Sequence, residues 1–325
     1  MTDDTMFGVE LTPETPAAQV GDLAVLAEQS GFDTAFVSHH YNNRDEFVAL
    51  ALAAAQTSTI RLGPGVTNPY ETHPVTLASR MATLDELTDG RGVFGIGPGD
   101  PSTLANLGIT QEKPLRRVLE TIKVSEQLFA GGRVTHDGAF TVEDAGLNYD
   151  VRNIPIYVGA QGPHMTRMAA KHADGVLYNG SHPRDITWAS KRVEEGLSER
   201  PAERESFDFA VYASVSVSED GDEAREAARP PVAFIAAGAP PPVLARHEID
   251  PTEARKISEK IGRGEFREAF ELVTPQMIGA FSIAGTPETV AEKLSPLRET
   301  ADSVVCGSPL GPDPAEAIEL MDILR

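Results

Sequence analysis

A single cysteine, Cys306, among 325 residues leaves no internal disulfide to staple the fold, and no Cys/His grouping has zinc-site spacing. Cations are scarce too: 28 lysines and arginines face 49 aspartates and glutamates, a formal net charge of -21. That balance excludes a nucleic-acid binder, which needs a basic footprint for phosphates, and a partner for anionic membrane surfaces. Long apolar runs are missing, and none approaches the roughly 18 uninterrupted residues of a membrane-spanning helix. The opening stretch MTDDTMFGVELTPETP is acidic and lacks the apolar core of a secretory signal, so a cytoplasmic protein is expected. Lysine is the rarer cation, with seven against 21 arginines. An acidic, lysine-poor, alanine-rich chain has the composition of proteins that work in multimolar salt. There a Debye length of about 3 Å screens repulsion among surface carboxylates.

What is present is ample core material, with hydrophobic residues at 41%. Short β-type runs alternate with longer amphipathic segments. Strands are expected at Met6–Leu11, Asp33–Ser38, Ile60–Gly63, Gly92–Ile96, Ile154–Val158, Gly175–Tyr178, Phe207–Val217 and Ser303–Gly307. The helix after the first strand shows its period in Val20, Leu23, Ala24 and Ala27, the i, i+3, i+4, i+7 stripe of one buried face, and Gly31 stops it. Further helices are expected over Glu46–Ala55, Pro74–Leu87 and Pro114–Ala130, and one opens at Thr286-Pro287 with Thr as N-cap and Pro in the first turn. Eight strands, mostly separated by helices, predict a parallel sheet closed into a (β/α)8 TIM barrel, with an open doubly wound sheet as the alternative. The barrel is expected to be one domain over residues 1–325. Two excursions interrupt it: a hairpin near 133–150 and a helical insertion near 220–280, broken by a Pro/Gly knot at Ala236–Val243.

A barrel of this kind places its site at the C-terminal strand ends. Those positions are polar or glycine-rich at seven of the eight strands: Glu10; Ser38-His39-His40-Tyr41; Gly63-Pro64-Gly65-Val66; Gly95-Ile96-Gly97-Pro98-Gly99-Asp100; Gly159-Ala160-Gln161-Gly162; Asn179-Gly180-Ser181-His182; and Cys306-Gly307-Ser308-Pro309. Turn chemistry accounts for some of the Gly and Pro, but not for the convergence of carboxylates, amides and imidazoles on one edge. Glu10, bracketed by Val9 and Leu11, is costly to bury unless it is functional or ion-paired. Asp100 reads as a site residue or as a helix N-cap. Gly65-Val66 reads as backbone brought close to a flat ligand or as a simple turn. The Gly159–Gly162 segment opens a helix and offers free N–H groups to an anion, with Arg44 and Lys113 as basic residues nearby. His39 and His40 point to opposite faces of a strand end, so they cannot share a metal, and no metal site is expected. GIGPGD is not the dinucleotide fingerprint, and no phosphate-loop lysine accompanies it. The residues alone reach a metal-free, glycine-lined mouth suited to a large planar cofactor that carries phosphate.

The same stretches, HHYNNRD, GPGVTNPY, GIGPGD followed by LGI and KPL, IPIYVGAQGP, NGSHP, VTPQMIGAFSIAGTP and GSPLGP, occur in order along the chain. Together they resemble the 5,10-methylenetetrahydromethanopterin reductases of the bacterial-luciferase-like superfamily. The resemblance implies a TIM barrel that uses the deazaflavin coenzyme F420 and passes hydride to the methylene carbon of a tetrahydropterin. It implies a non-prolyl cis peptide at Gly65–Val66 behind the deazaflavin. It also implies coenzyme contacts from Asp100, Ala160, Gln161, Gly162, Asn179 and Gly180, a catalytic Glu10 facing the pterin, and His40 beside the ring. The family pattern T/S-D-H-Y reads Ser38-His39-His40-Tyr41 here, so His39 stands where an aspartate would meet the coenzyme edge.

With the salt-adapted composition, the resemblance implies a halophilic archaeal enzyme, dimeric or tetrameric, acting on tetrahydromethanopterin or tetrahydrofolate. The alternatives are a methylenetetrahydrofolate reductase on this scaffold with FMN, FAD or NADH as donor, and another luciferase-like flavin or F420 oxidoreductase. A binding protein on a decayed barrel is the reading from a different class.

Overall fold

The computed structural model describes residues 6–204 and 206–324. Eight strands form the barrel: β1 (Phe7–Leu11), β2 (Thr34–Val37), β3 (Arg61–Pro64), β4 (Phe94–Ile96), β5 (Ile156–Ala160), β6 (Gly175–Asn179), β7 (Asp208–Val217) and β8 (Ser303–Leu310). They pair in parallel in the order β3-β2-β1-β8-β7-β6-β5-β4. Bridges Leu62–Gly92 and Thr67–Ile96 close the seam between β3 and β4. Closure there requires glycine, because a Cβ on Gly95 would stand 2.0 Å from the Pro64 carbonyl oxygen. The predicted barrel is therefore the observed one, and the open sheet is excluded.

Strand alternation sorts the side chains into two cores. Outward residues such as Val9, Leu11, Ala35 and Val37 are buried against the surrounding helices. Inward residues Met6, Phe36, Val93, Tyr157, Leu177, Ala210 and Val305 fill the barrel interior, with Val66 and Tyr212 packed above them. Burying such side chains contributes roughly 1.5–3 kcal/mol each, so the plug of inner residues is a rigid floor for whatever sits at the mouth.

The helix predicted from the Val20–Ala27 stripe runs Ala17–Gln29, and Gly31 follows it at φ +69°. Helices Glu46–Gln56 and Pro74–Leu87 come next, then Pro114–Phe129. Val134–Asp137 and Thr141–Ala145 make the antiparallel hairpin between β4 and β5. Between β7 and β8, the helices Gly221–Gly238, Pro241–Arg246, Pro251–Gly262, Phe266–Glu271 and Pro275–Phe281 enclose an apolar cluster of their own, including Val232, Leu244, Ile257, Met277 and Phe281. The Pro/Gly knot is narrower than the sequence implies. The first of these helices continues to Gly238 because Ala236 is buried against its neighbours, and Pro241 opens the next one. A short strand, Ile283–Gly285, then pairs with β7, and helix Pro287–Arg298 follows with Thr286 as its cap. Two helices escape the sequence pattern, Pro101–Asn106 and Pro314–Leu320; each begins with an Asp-Pro pair that supplies cap and first turn. No helix among the described residues is long and apolar enough to cross a membrane.

Candidate active site

Above the inner plug, the C-terminal strand ends form a cup. One wall is backbone. The Gly65–Val66 peptide bond is cis, as the resemblance implies. Val66 occupies room left by glycines on two other strands: a Cβ on Gly97 would lie 2.6 Å from its Cγ2, and one on Gly159 2.9 Å from the same atom. Gly97, just past β4, and Gly159 on β5 are thus a volume match for Val66.

A second wall is polar. Glu10 on β1 alternates with Val9 and Leu11, so it points inward, and its Oε2 accepts from the backbone N–H of Ser308 on β8 at 2.8 Å. The Ser308–Pro309 bond that follows is cis. Gly307 leaves room for this contact, since a Cβ there would lie 3.1 Å from Glu10 Oε2. The hydroxyl of Tyr212 on β7 donates to the Gly65 carbonyl oxygen at 3.4 Å and lies near enough to the Glu10 carboxyl to act on it, linking the polar and glycine walls. Ser38 Oγ is buried close to Glu10, near enough to favour its charge, but has no well-formed hydrogen bond of its own. Burial pushes the Glu10 carboxyl above its ordinary value. The Ser308 N–H, the hydroxyls and the nearby His40 act in the opposite sense without cancelling it. Burial and the neighbouring carboxylate push the Tyr212 phenol well up, which keeps it a neutral donor.

His40, exposed at the rim, lies close enough to act on Glu10 electrostatically. His39 is placed differently from the sequence expectation. Both ring nitrogens are taken, Nδ1 by Glu46 at 2.8 Å and Nε2 by Glu71 at 3.1 Å, so neither is free for a coenzyme edge. Burial would lower its pKa, but the two carboxylates outweigh burial and raise it to about 9. Asp100 caps helix Pro101–Asn106, accepting from Thr103 N at 2.8 Å and from the Ser102 and Thr103 hydroxyls. Burial opposes its charge, yet these donors hold the carboxyl below its ordinary value. Ala160 is buried at the end of β5, while Gln161 and Gly162 are exposed. Gly162 caps helix Pro163–His172 with no side-chain bond, so the first-turn N–H groups remain open to solvent or an anion. Asn179, paired in register with Tyr212, and Gly180, whose N–H donates to the Tyr212 carbonyl at 3.2 Å, bring the β6 end beside the polar wall. Arg44 is turned away, donating to the Glu14 carbonyl, and Lys113 sits in the left-handed region at the start of helix Pro114–Phe129.

Sequence reasoning missed Tyr212 and the Ser308 N–H. The seventh strand alternates too regularly to show a polar end cluster. The available signal was a Tyr on the inward register of Ala210 and Ser214, since a buried phenol needs a partner.

Over residues 4–303 the chain matches the family model described as luciferase-like monooxygenase. It is 43% identical over 321 residues to a 5,10-methylenetetrahydromethanopterin reductase of Archaeoglobus fulgidus, spanning 97% of each chain. The fold matches the solved coenzyme F420 dependent tetrahydromethanopterin reductase of Methanopyrus kandleri with a TM-score of 0.89 at 40% identity, over 98% of this chain and 97% of that one. An F420-dependent secondary alcohol dehydrogenase, 21% identical, shares the fold with a TM-score of 0.81, over 99% of each chain. The chain belongs to the luciferase-like monooxygenase family and, within it, to the 5,10-methylenetetrahydromethanopterin reductases.

Proposed function

We propose that this chain is a reductase that passes hydride from the reduced deazaflavin coenzyme F420 to the methylene carbon of a 5,10-methylene-tetrahydropterin, giving the 5-methyl form. One observation carries the reading: a protonatable, inward-facing carboxyl, Glu10, and the Gly65 carbonyl share one neighbour, the buried Tyr212 hydroxyl, at the C-terminal strand ends.

A flat tricyclic ring is the ligand we assign to the cup. Gly97 and Gly159 present backbone only beside Val66, and Ser38 Oγ is a buried polar atom in want of a partner. The residues that would hold the coenzyme are Gly65, Val66, Asp100, Ala160, Gln161, Gly162, Asn179 and Gly180. The open first turn at Gly162 suits its phosphate. When bound, the reduced deazaflavin supplies the hydride, and the protein supplies orientation and electrostatics. Transfer needs two rings face to face near ~3–3.5 Å, which is a task for a rigid cup. Glu10, with its carboxyl raised by burial, holds or accepts a proton where the pterin nitrogen would lie, and as the carboxylate it stabilises a developing cation. Tyr212 and Ser308 orient it, and His40 supports its charge from the rim.

We read the hairpin and the helical segment after β7 as insertions in one barrel domain, and the cytoplasm of a salt-adapted cell as its setting. The -21 net charge supports that setting, and cells of that kind make tetrahydrofolate a carrier to test beside tetrahydromethanopterin. Another copy of the chain is the partner we assign to the shallow apolar groove between helices Glu46–Gln56 and Pro74–Leu87. Phe47, Val48, Leu52 and Leu87 line it, with Val48 56% and Leu87 55% exposed. Such a patch marks an interface, and charge this acidic lets copies meet only when salt screens it. Sedimentation at low and high KCl tests this: a mass that doubles or quadruples with salt supports it, and a monomer throughout contradicts it. Binding and turnover of both carriers with the reduced deazaflavin test the reaction itself.

A further inference from the structure

A polar cluster centred on His39 borders the cup. His39 follows Ser38, whose hydroxyl lies beside Glu10, and precedes His40 at the rim. Its ring bridges Glu46, the first residue of helix Glu46–Gln56, and Glu71, in the loop after β3. Glu46 is only 2% exposed, and His39 is its side-chain partner. A buried carboxylate with one cationic partner depends on that partner staying charged. Glu71 is held in turn by Asn68, whose Nδ2 donates to it at 2.8 Å and whose Oδ1 accepts from the Tyr70 and Glu71 N–H groups. Asn68 lies two residues past Val66, and the backbone of Gly99 packs on it, with a Cβ there 3.2 Å from Asn68 Cγ. The cluster therefore joins the loops after β2, β3 and β4, which carry His40, the Gly65–Val66 edge and Asp100.

We propose that His39 is a positioning residue whose imidazolium clamps the loop after β2 to the loop after β3 and thereby holds the Gly65–Val66 edge where the coenzyme ring rests. The proposal rests on the deazaflavin reading above. The groups facing the ring are few. From helix Glu46–Gln56 it meets Glu46, while Asp45 is spent on the N–H groups of Phe47 and Val48. From the loop after β3 it meets Glu71. Arg80, on the helix Pro74–Leu87, lies over the Phe47 ring at 5.4 Å and donates to Thr72 instead. His40, next in the chain, acts on Glu10. The two carboxylates outweigh burial and keep the imidazole protonated to about pH 9, so the clamp holds at neutral pH and opens above that.

The test measures coenzyme dissociation constants by deazaflavin fluorescence across pH for the wild type, His39→Gln and Glu71→Gln, beside an NMR titration of the coenzyme-free proteins. Wild-type affinity should hold at neutral pH and weaken about tenfold as the imidazolium is lost. His39→Gln should already be weakened to that extent and show no alkaline step, and Glu71→Gln should move the step to lower pH. In the free wild type the amide signals of Val66 and Asn68 should follow the His39 titration, and in His39→Gln they should not. Equal affinity in His39→Gln and wild type, the same alkaline step in both, or amides that ignore the titration overturns the proposal. Amides that follow His39 in a protein that binds no deazaflavin keep the clamp and overturn the coenzyme reading instead.

Discussion

The backbone N–H of Ser308 donates to Glu10 Oε2 at 2.8 Å, a bond between the first and last strands of the barrel. It fixes one carboxylate oxygen, Oε2. Burial raises this carboxyl above its ordinary value despite the Ser308 N–H, the Ser38 and Tyr212 hydroxyls and His40, which suits it to proton traffic.

Glu10→Gln keeps the shape and the Ser308 contact but cannot take or give a proton. Turnover should fall by about 10²–10⁴-fold while coenzyme affinity stays close to wild type. Steady-state kinetics beside fluorescence titration separate the two, and equal losses in both would remove Glu10 from the chemistry.

Tyr212→Phe deletes the hydroxyl that faces Glu10 and the Gly65 carbonyl. With one donor fewer, the Glu10 carboxyl should titrate higher still, moving the acid limb of the rate profile to higher pH and slowing turnover about tenfold at neutral pH. A pH–rate profile superimposable on that of the wild type would leave Tyr212 a packing residue.

Gly159→Ala sets a methyl group 2.9 Å from Val66 Cγ2, whereas Gly162→Ala meets nothing within 4 Å. The first should cost about 1–3 kcal/mol in denaturant unfolding and displace the Val66 edge; the second should fall within about 0.5 kcal/mol of wild type. Equal stabilities would mean that Val66 is not wedged between the glycines.

Glu28 and His39 tie the stability of the fold to pH in opposite senses. Burial opposes the charge of Glu28 on helix Ala17–Gln29, but the N–H groups of Ile60, Thr59 and Ser58 outweigh it and lower its pKa to about 2. Its contribution is complete above its ordinary value of 4.5 and is lost as pH falls through about 2. His39 is the reverse case, raised from 6.5 to about 9, so its contribution is complete below 6.5 and lost as pH rises through about 9. At 1.36 kcal/mol per pH unit that alkaline loss is of order 3 kcal/mol. Unfolding followed by circular dichroism should show it in the wild type and not in His39→Gln.

The barrel was legible because its two periods are clean: the Val20–Ala27 stripe and the Glu10, Gly65 and Asn179 strand ends all fall where the pattern puts them. Helix Pro101–Asn106 was not, since six residues are too few for a 3.6-residue period to show, although Asp100-Pro101 announces its start. The bridging position of His39 was not legible for a different reason. Its partners, Glu46 and Glu71, lie 7 and 32 residues away, and only the closed barrel brings both carboxylates to one imidazole. Tyr212 was hidden by regularity, an aromatic in an alternating strand whose hydroxyl matters only once β1 stands across from it.

The most direct test of the proposed reaction follows oxidation of the reduced deazaflavin in about 3 M KCl, where surface repulsion is screened, with methylene-tetrahydromethanopterin and methylene-tetrahydrofolate in parallel. Turnover with at least one carrier is the expected result, and it names the pterin. No turnover with either, while reduced flavin or NADH does support methyl-pterin formation, would contradict the deazaflavin as donor, and silence with every donor would contradict the reductase itself.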